Sequence, residues 1–305
     1  MTIGNPNYDY WQVEGVSIGS GAVESSIQQV PINTSASMME LAHHNFCCMK
    51  LTRLELNSWI IEIAGQTILI DPWLVDPMTF FGSPWLFKAS HKGPQIYTPA
   101  TLPKVDLILL SQSFDDHCHK PTLEQLDHSI PVVASPAAAK IVRDLGYIQV
   151  ISLTTWQKYA LADGLEIMAM PSAPASSGGE NGYLLKSGAE SLYYEPHIFP
   201  AHQPIASYVS NLDVAIAPVV GQIFPLIGQV IMGPQEALSM VKTLRPRVVM
   251  STGNGNVHIE GLLIKGVKSV GSFEEFAALL KKSGLPTKFL TPQGGETVVL
   301  EKTAS

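Results

Sequence analysis

The segment Ser111-Gln-Ser-Phe-Asp-Asp-His-Cys-His119 gathers residue types that can hold a metal ion or move a proton. A second such segment is Tyr193-Tyr-Glu-Pro-His197. Zinc and iron accept carboxylate oxygens and imidazole nitrogens converging on one ion, and a catalytic ion keeps one position open for water. Asp116, His117 and His197 are the candidate ligands, with Asp116 and His117 as the candidate catalytic pair. His119 and Glu195 each lie two residues from a candidate ligand. Either suits a fourth ligand or a partner that fixes an imidazole tautomer. Asp115 ranks below Asp116 as an auxiliary, because adjacent side chains point apart. Asn254, in Gly253-Asn-Gly-Asn, is a candidate hydrogen-bond partner for a substrate. Plainer roles stand beside these. Asp116 can cap the helix that Pro121 opens, His117 and His119 can face opposite ways, and His197 can occupy a turn after Pro196. A metal-free site, with His117 doing acid–base work beside Asp116 or Glu195, is a third option.

These segments must be positioned by a scaffold, and the pattern for one begins near residue 51. Leu51-Thr-Arg-Leu-Glu-Leu alternates as a half-buried strand does. Residues 58–64 and 67–70 read as two further strands around a tight turn at Gly65-Gln66, the last ending on Asp71-Pro72. Residues 73–90 form a loop rich in aromatics: Phe80, Phe81, Trp85 and Phe87. The apolar run 105–110 suits a buried strand. A helix starts at Pro121, a strand covers 131–134, and Ser135 is placed to cap a helix over 136–145. Further strands are expected over 165–170, 181–186, 191–194, 214–218, 247–250 and 296–300, with helices over 233–244 and 272–283. Strand–helix alternation in two successive halves predicts an α/β (α+β) fold. Its expected form is a four-layer αββα sandwich, two mixed β-sheets with helices outside. Residues 1–45 are rich in Gly, Ser, Asn and Gln without a sustained period. They read as a weakly ordered extension to a domain spanning 46–305.

Composition narrows the function classes. The chain has 305 residues, 46% hydrophobic and 15% charged, with net charge −7. No Lys/Arg cluster occurs, so nucleic acid has no electrostatic footprint to bind. The three cysteines, two of them neighbours at 47 and 48, suit a reducing compartment rather than a disulfide scaffold. With no leader pattern and no apolar run long enough to span a bilayer, a soluble cytoplasmic protein is expected. Cys118 reads as a small buried residue rather than a ligand or nucleophile. The apolar stretches 78–87 and 221–233 suit lids over an apolar pocket, and hence a small, apolar or lipid-like substrate. They equally suit packing on each other or a homo-oligomer face.

Three segments in order resemble the metallo-β-lactamase superfamily, in the branch of ascorbate-6-phosphate lactonase-like and N-acyl-phosphatidylethanolamine phospholipase-like proteins. They are Leu56-Asn-Ser-Trp-Ile-Ile-Glu-Ile with Thr67-Ile-Leu-Ile-Asp-Pro-Trp-Leu; Val105-Asp-Leu-Ile-Leu-Leu-Ser-Gln-Ser-Phe-Asp-Asp-His; and Asp213-Val-Ala-Ile-Ala-Pro, Met232-Gly-Pro-Gln-Glu-Ala, Arg245-Pro-Arg-Val-Val-Met. The motifs Ser-Gln-x-x-Asp-Asp-His-x-His and Tyr-Tyr-Glu-Pro-His also resemble a divergent cyanobacterial and plastid sub-branch. The resemblance implies a metallo-hydrolase, but the family's His-x-His-x-Asp-His motif is degenerate here. Gln112 and Phe114 stand at its first two histidines, no histidine falls in 172–175, His197 stands where the bridging aspartate belongs, and Gly253 where the closing histidine does. What the resemblance implies is therefore one divalent ion on Asp116, His117 and His197, zinc first and iron or manganese as alternatives, or no ion at all. The activity implied is hydrolysis of an ester, lactone or phosphodiester by metal-activated water. The alternative is an inactive protein using the fold to bind a ligand or partner.

Overall fold

A computed structural model describes residues 48–161, 164–172, 180–188, 190–209, 212–225 and 228–301. The extension over 1–45 and the Ser176-Ser-Gly-Gly segment lie outside these residues. β1 (Cys48–Arg53), β2 (Trp59–Ile63) and β3 (Gln66–Ile70) form the expected antiparallel meander. Ala64 and Gly65, both at positive φ, turn β2 into β3. β4 (Met78–Thr79) and β5 (Lys88–His91) follow, then β6 (Leu107–Leu110), β7 (Val132–Ala134) and β8 (Val150–Ser152). β6, β7 and β8 add to β3 in parallel. β20 (Thr297–Glu301) closes the other edge on β1, so the first sheet runs β20-β1-β2-β3-β6-β7-β8.

The second sheet is built from β9 (Lys158–Ala160), β10 (Leu165–Pro171), β11 (Asn181–Ser187), β12 (Glu190–Tyr194), β13 (Val214–Ala217), β16 (Val248–Ser251) and β19 (Lys288–Leu290). Its order is β19-β16-β13-β12-β11-β10-β9. Side chains alternate across each strand, and that period decides what each face packs on. Ile61, Leu107, Leu109, Ile167, Leu185, Val214 and Met250 point between the sheets into one core. Ile60, Ile108 and Leu110 point outward to Ala138, Ala139 and Val142 of the helix Pro136–Asp144. Met168, Met170, Ala215 and Val249 point outward to the helices Pro234–Leu244 and Phe273–Ser283. Helix, sheet, sheet and helix are the four expected layers.

Several details differ from the expectation, among them the short strands β8, β9 and β19, which the sequence pattern did not indicate. The aromatic loop over 73–90 contains β4 and β5, which join β17 (Val257–Glu260) in a three-stranded sheet. The partner strand lies far along the chain, so the local pattern carried no sign of it. The apolar stretch 221–233 holds the hairpin β14 (Gly221–Phe224) and β15 (Gly228–Ile231), paired with β18 (Lys268–Val270). Ser135 occupies the N-cap of the helix Pro136–Asp144, but its hydroxyl is buried without a partner. Among the described residues, no helix is long and apolar enough to cross a membrane.

Candidate metal centre

The site lies where β3, β6 and β12 end and hand over to loops. Its foundation is Asp71, the residue after β3 and fully buried. A buried carboxylate must be paired and hydrogen-bonded to persist, and this one is. Asp71 Oδ1 accepts from Ser111 N at 2.8 Å. Oδ2 accepts from Ser111 Oγ at 2.5 Å, His117 Nδ1 at 2.7 Å and Tyr194 Oη at 2.7 Å. One side chain thus ties the meander, the loop after β6 and the end of β12 together.

The bond to Asp71 orients His117. With Nδ1 donating to the carboxylate, Nε2 is turned toward Asp116, whose Oδ2 is 3.2 Å away. Two atoms bound to one tetrahedral zinc at 2.0–2.1 Å stand about 3.3 Å apart, so this spacing suits a shared ion. His197 faces the same point from the other sheet, its ring 5.1 Å from that of His117 and nearly perpendicular. Its Nδ1 lies 3.3 Å from Glu180 Oε2. Asp116, His117 and His197 each bring a ligand-type atom within 4.8 Å of the others. The set is one carboxylate oxygen and two imidazole nitrogens, with each imidazole backed by a further carboxylate. Burial alone would lower the His117 pKa, but Asp116 and Asp71 outweigh it and hold it up to about 10. Burial likewise opposes ionisation of Asp116, yet His117 keeps its carboxyl below the usual range. The Asp116 side chain is 25% exposed, whereas His117 is fully buried, so Asp116 is the member that meets solvent.

A second carboxylate holds the backbone of His197. Glu195 Oε1 accepts from Ser172 Oγ at 2.5 Å and from His197 N at 3.1 Å, and Oε2 accepts from Tyr193 Oη at 2.8 Å. Burial, only partly offset by these donors, pushes Glu195 up to about 7. Tyr193 and Tyr194 are neighbours on β12 and point to opposite faces, so each buttresses a different acid. The close approach of β11 requires glycine at Gly182, where a Cβ would sit 3.0 Å from Tyr194 O and 3.3 Å from Tyr193 Oη.

The auxiliary candidates go elsewhere. His119 Nδ1 is bonded to Thr122 Oγ1 at 2.9 Å, and burial lowers its pKa to about 4. It occupies the N-cap of the single turn Lys120–Leu123, so Asp116 is not that helix's cap. Asp115 turns to the aromatic loop, where Oδ2 accepts from Phe81 N at 3.1 Å. Asn254 is engaged through its side chain with Ser251 Oγ at 2.8 Å, and its backbone oxygen accepts from Arg53. Cys118 is buried, with its thiol pushed up to about 12 by burial and then by Asp71. It should resist iodoacetamide in native protein from pH 7 to 9 and react only in denaturant; mass mapping of the labelled peptide checks this. A cavity of about 250 Å³ opens away from the cluster, lined by Trp73, His91 and Tyr97 among others.

Four residues now in the site were not candidates from the sequence: Asp71, Asn57, Glu180 and Tyr194. Asn57 Nδ2 lies 3.2 Å from His117 Nε2. For Asp71 a signal existed, since an acid closing the apolar run Ile68-Leu-Ile needs a buried partner.

Comparison with known proteins agrees with this architecture. The family described as the beta-lactamase superfamily domain matches residues 50–253. A protein named a metal-dependent hydrolase from Pyrobaculum calidifontis is 26% identical over 199 residues, covering 64% of this chain and 79% of the relative. The solved structure of a metallo hydrolase from Ignicoccus hospitalis superposes with a TM-score of 0.61 at 20% identity, over 84% of this chain and 100% of that one. An isothiocyanate hydrolase from Delia radicum gut bacteria gives 0.63 at 18% identity, over 83% and 99%. By the family match and by its paired sheets, the chain belongs to the metallo-β-lactamase superfamily.

Proposed function

We propose that the protein is a metal-dependent hydrolase using one divalent ion, zinc in the first instance, on Asp116, His117 and His197. The observation that carries this reading is the convergence of three ligand-type atoms within 4.8 Å, with His117 oriented by Asp71 and His197 by Glu180. The naming of the Pyrobaculum relative as a metal-dependent hydrolase supports it. When bound, such an ion supplies Lewis-acid polarisation of a carbonyl or phosphoryl oxygen and lowers the pKa of a water. The chain supplies the rest. Asp71 holds the Nδ1 proton of His117, leaving Nε2 as the donor atom, and Glu195 fixes the backbone of His197. Asp116, its carboxyl held below the usual range and partly exposed, would give one oxygen to the ion and leave the other to accept a hydrogen bond from water. On the loop that carries Asp116, Phe114 is 37% exposed, and Phe81, 73% exposed, is tied to that loop by its amide on Asp115 Oδ2. That rim supports an apolar ester, lactone or phosphodiester as the substrate class.

A second reading is a binding module without turnover. It draws on the contacts of His117 Nε2, which lies 3.2 Å from both Asp116 and Asn57 and so is partnered within the protein. Zinc-loaded protein assayed on p-nitrophenyl butyrate, an acyl lactone and bis-p-nitrophenyl phosphate decides between them. Turnover of at least one, lost on chelation and in Asp116→Asn, is expected. No turnover of any of the three favours the binding module.

A further inference from the structure

Gln112 stands where the family resemblance implies a metal-binding histidine, and by residue type it marks a lost ligand. Its surroundings say otherwise. The side chain is 1% exposed. Its backbone is fixed by its neighbour, because both Ser111 N and Ser111 Oγ are bonded to Asp71. The amide reaches across to the other sheet, with Nε2 at 2.9 Å from His197 Nε2 and 3.5 Å from His197 Nδ1. A donor lying along the Nε2 lone pair would be much farther from Nδ1, which is on the other side of the ring. The two similar distances put the amide nitrogen beside or above the ring, so the in-plane lone pair of His197 Nε2 stays open. Gln112 Oε1, on the same amide, is buried and accepts no hydrogen bond from the described protein. A buried carbonyl without a donor is unfavourable, and buried polar atoms are nearly always satisfied. Here the unsatisfied oxygen belongs to an amide already touching a candidate ligand.

We infer that Gln112 is a metal ligand through Oε1, making the donor set Asp116, His117, His197 and Gln112. This rests on the metal-site reading above. A cation satisfies the orphaned oxygen, and a neutral amide oxygen is an acceptable ligand to zinc, iron or manganese alongside imidazole and carboxylate. The position usually filled by histidine is then substituted rather than lost. The neighbouring Phe114, 37% exposed, is the position that truly has no donor.

The inference separates the two ends of one amide, and two variants test it. Gln112→Glu keeps the oxygen and removes the N–H₂ group that touches His197, whereas Gln112→Met keeps the bulk and removes both. The readouts are the Co²⁺ dissociation constant, from competition with a chromophoric chelator, and the visible d–d spectrum of the bound ion. Gln112→Met is expected to weaken Co²⁺ binding by about tenfold or more and to change the spectrum. Gln112→Glu is expected to bind at least as tightly as wild type. If Gln112 acts only by bracing His197, Gln112→Glu will weaken binding as much as Gln112→Met does, and the inference falls. Unchanged affinity and spectrum in both variants overturns it while leaving the three-residue site standing. A wild-type protein that binds no Co²⁺ overturns both. Should Gln112→Met fail to fold, the d–d spectrum of Gln112→Glu decides: a carboxylate ligand in place of an amide changes it, and an unchanged spectrum overturns the inference whatever the affinity.

Discussion

Asp71→Ala is expected to destabilise the fold by about 3–5 kcal/mol, the cost of removing one partner from a buried, hydrogen-bonded charge cluster. The variant leaves Ser111, His117 and Tyr194 facing a gap where four bonds met. None of the three can turn to water, because each is essentially fully buried. Asp71→Asn should cost less, since it keeps the shape and one accepting oxygen while its new N–H₂ group opposes a donor. Urea unfolding of the apo protein measures both. A lowered midpoint with an unchanged slope reports lost stability rather than a changed unfolded state. If Asp71→Ala unfolds at the wild-type midpoint, Asp71 is not the keystone of the site.

The second large effect is expected at His197. His197→Ala removes one of the proposed protein ligands and should weaken zinc binding by about 100-fold or more, since changes merely behind a ligand already cost 10–100-fold. It should perturb stability less than Asp71→Ala does. The polar side-chain contacts of His197 go to Gln112 and Glu180, and only its ring meets His117 of the Asp71 cluster that joins β3, β6 and β12. The same substitution at His117 should lose zinc and stability together, because His117 is both candidate ligand and partner of Asp71. Chelator competition and urea unfolding on the two variants, side by side, separate a ligand from a ligand that is also a structural strut. Equal stability losses would contradict the division.

Much of the scaffold was readable because its strands obey a period of two and its helices fill the gaps between them. β1 was readable from its alternation and β6 from its unbroken apolar run, which suits a strand buried on both faces. The convergence of Asp116, His117 and His197 was readable only through family resemblance and the order of segments, since 80 residues separate the second from the third. The supports of the site were not readable. Asp71 meets Tyr194 across 123 residues, and Asn57 meets His117 across 60. Nothing local to either residue announces its partner. β4 and β5 were missed because they are short, and β17 because its partner β5 lies far along the chain. Gln112 is a different case. Residue type suggests a lost ligand, and only the burial of its oxygen without a partner points to the role inferred above. The alternation of His117 and His119 was foreseen, and it sends the first to Asp71 and the second to Thr122.

Protein purified without chelator and analysed by inductively coupled plasma mass spectrometry should carry close to one equivalent of a divalent metal, zinc foremost. The His117→Ala/His197→Ala double variant, purified in parallel, should carry almost none. Substoichiometric zinc, iron and manganese in the wild type, unchanged in the double variant, would contradict the account and leave the fold as a binding module.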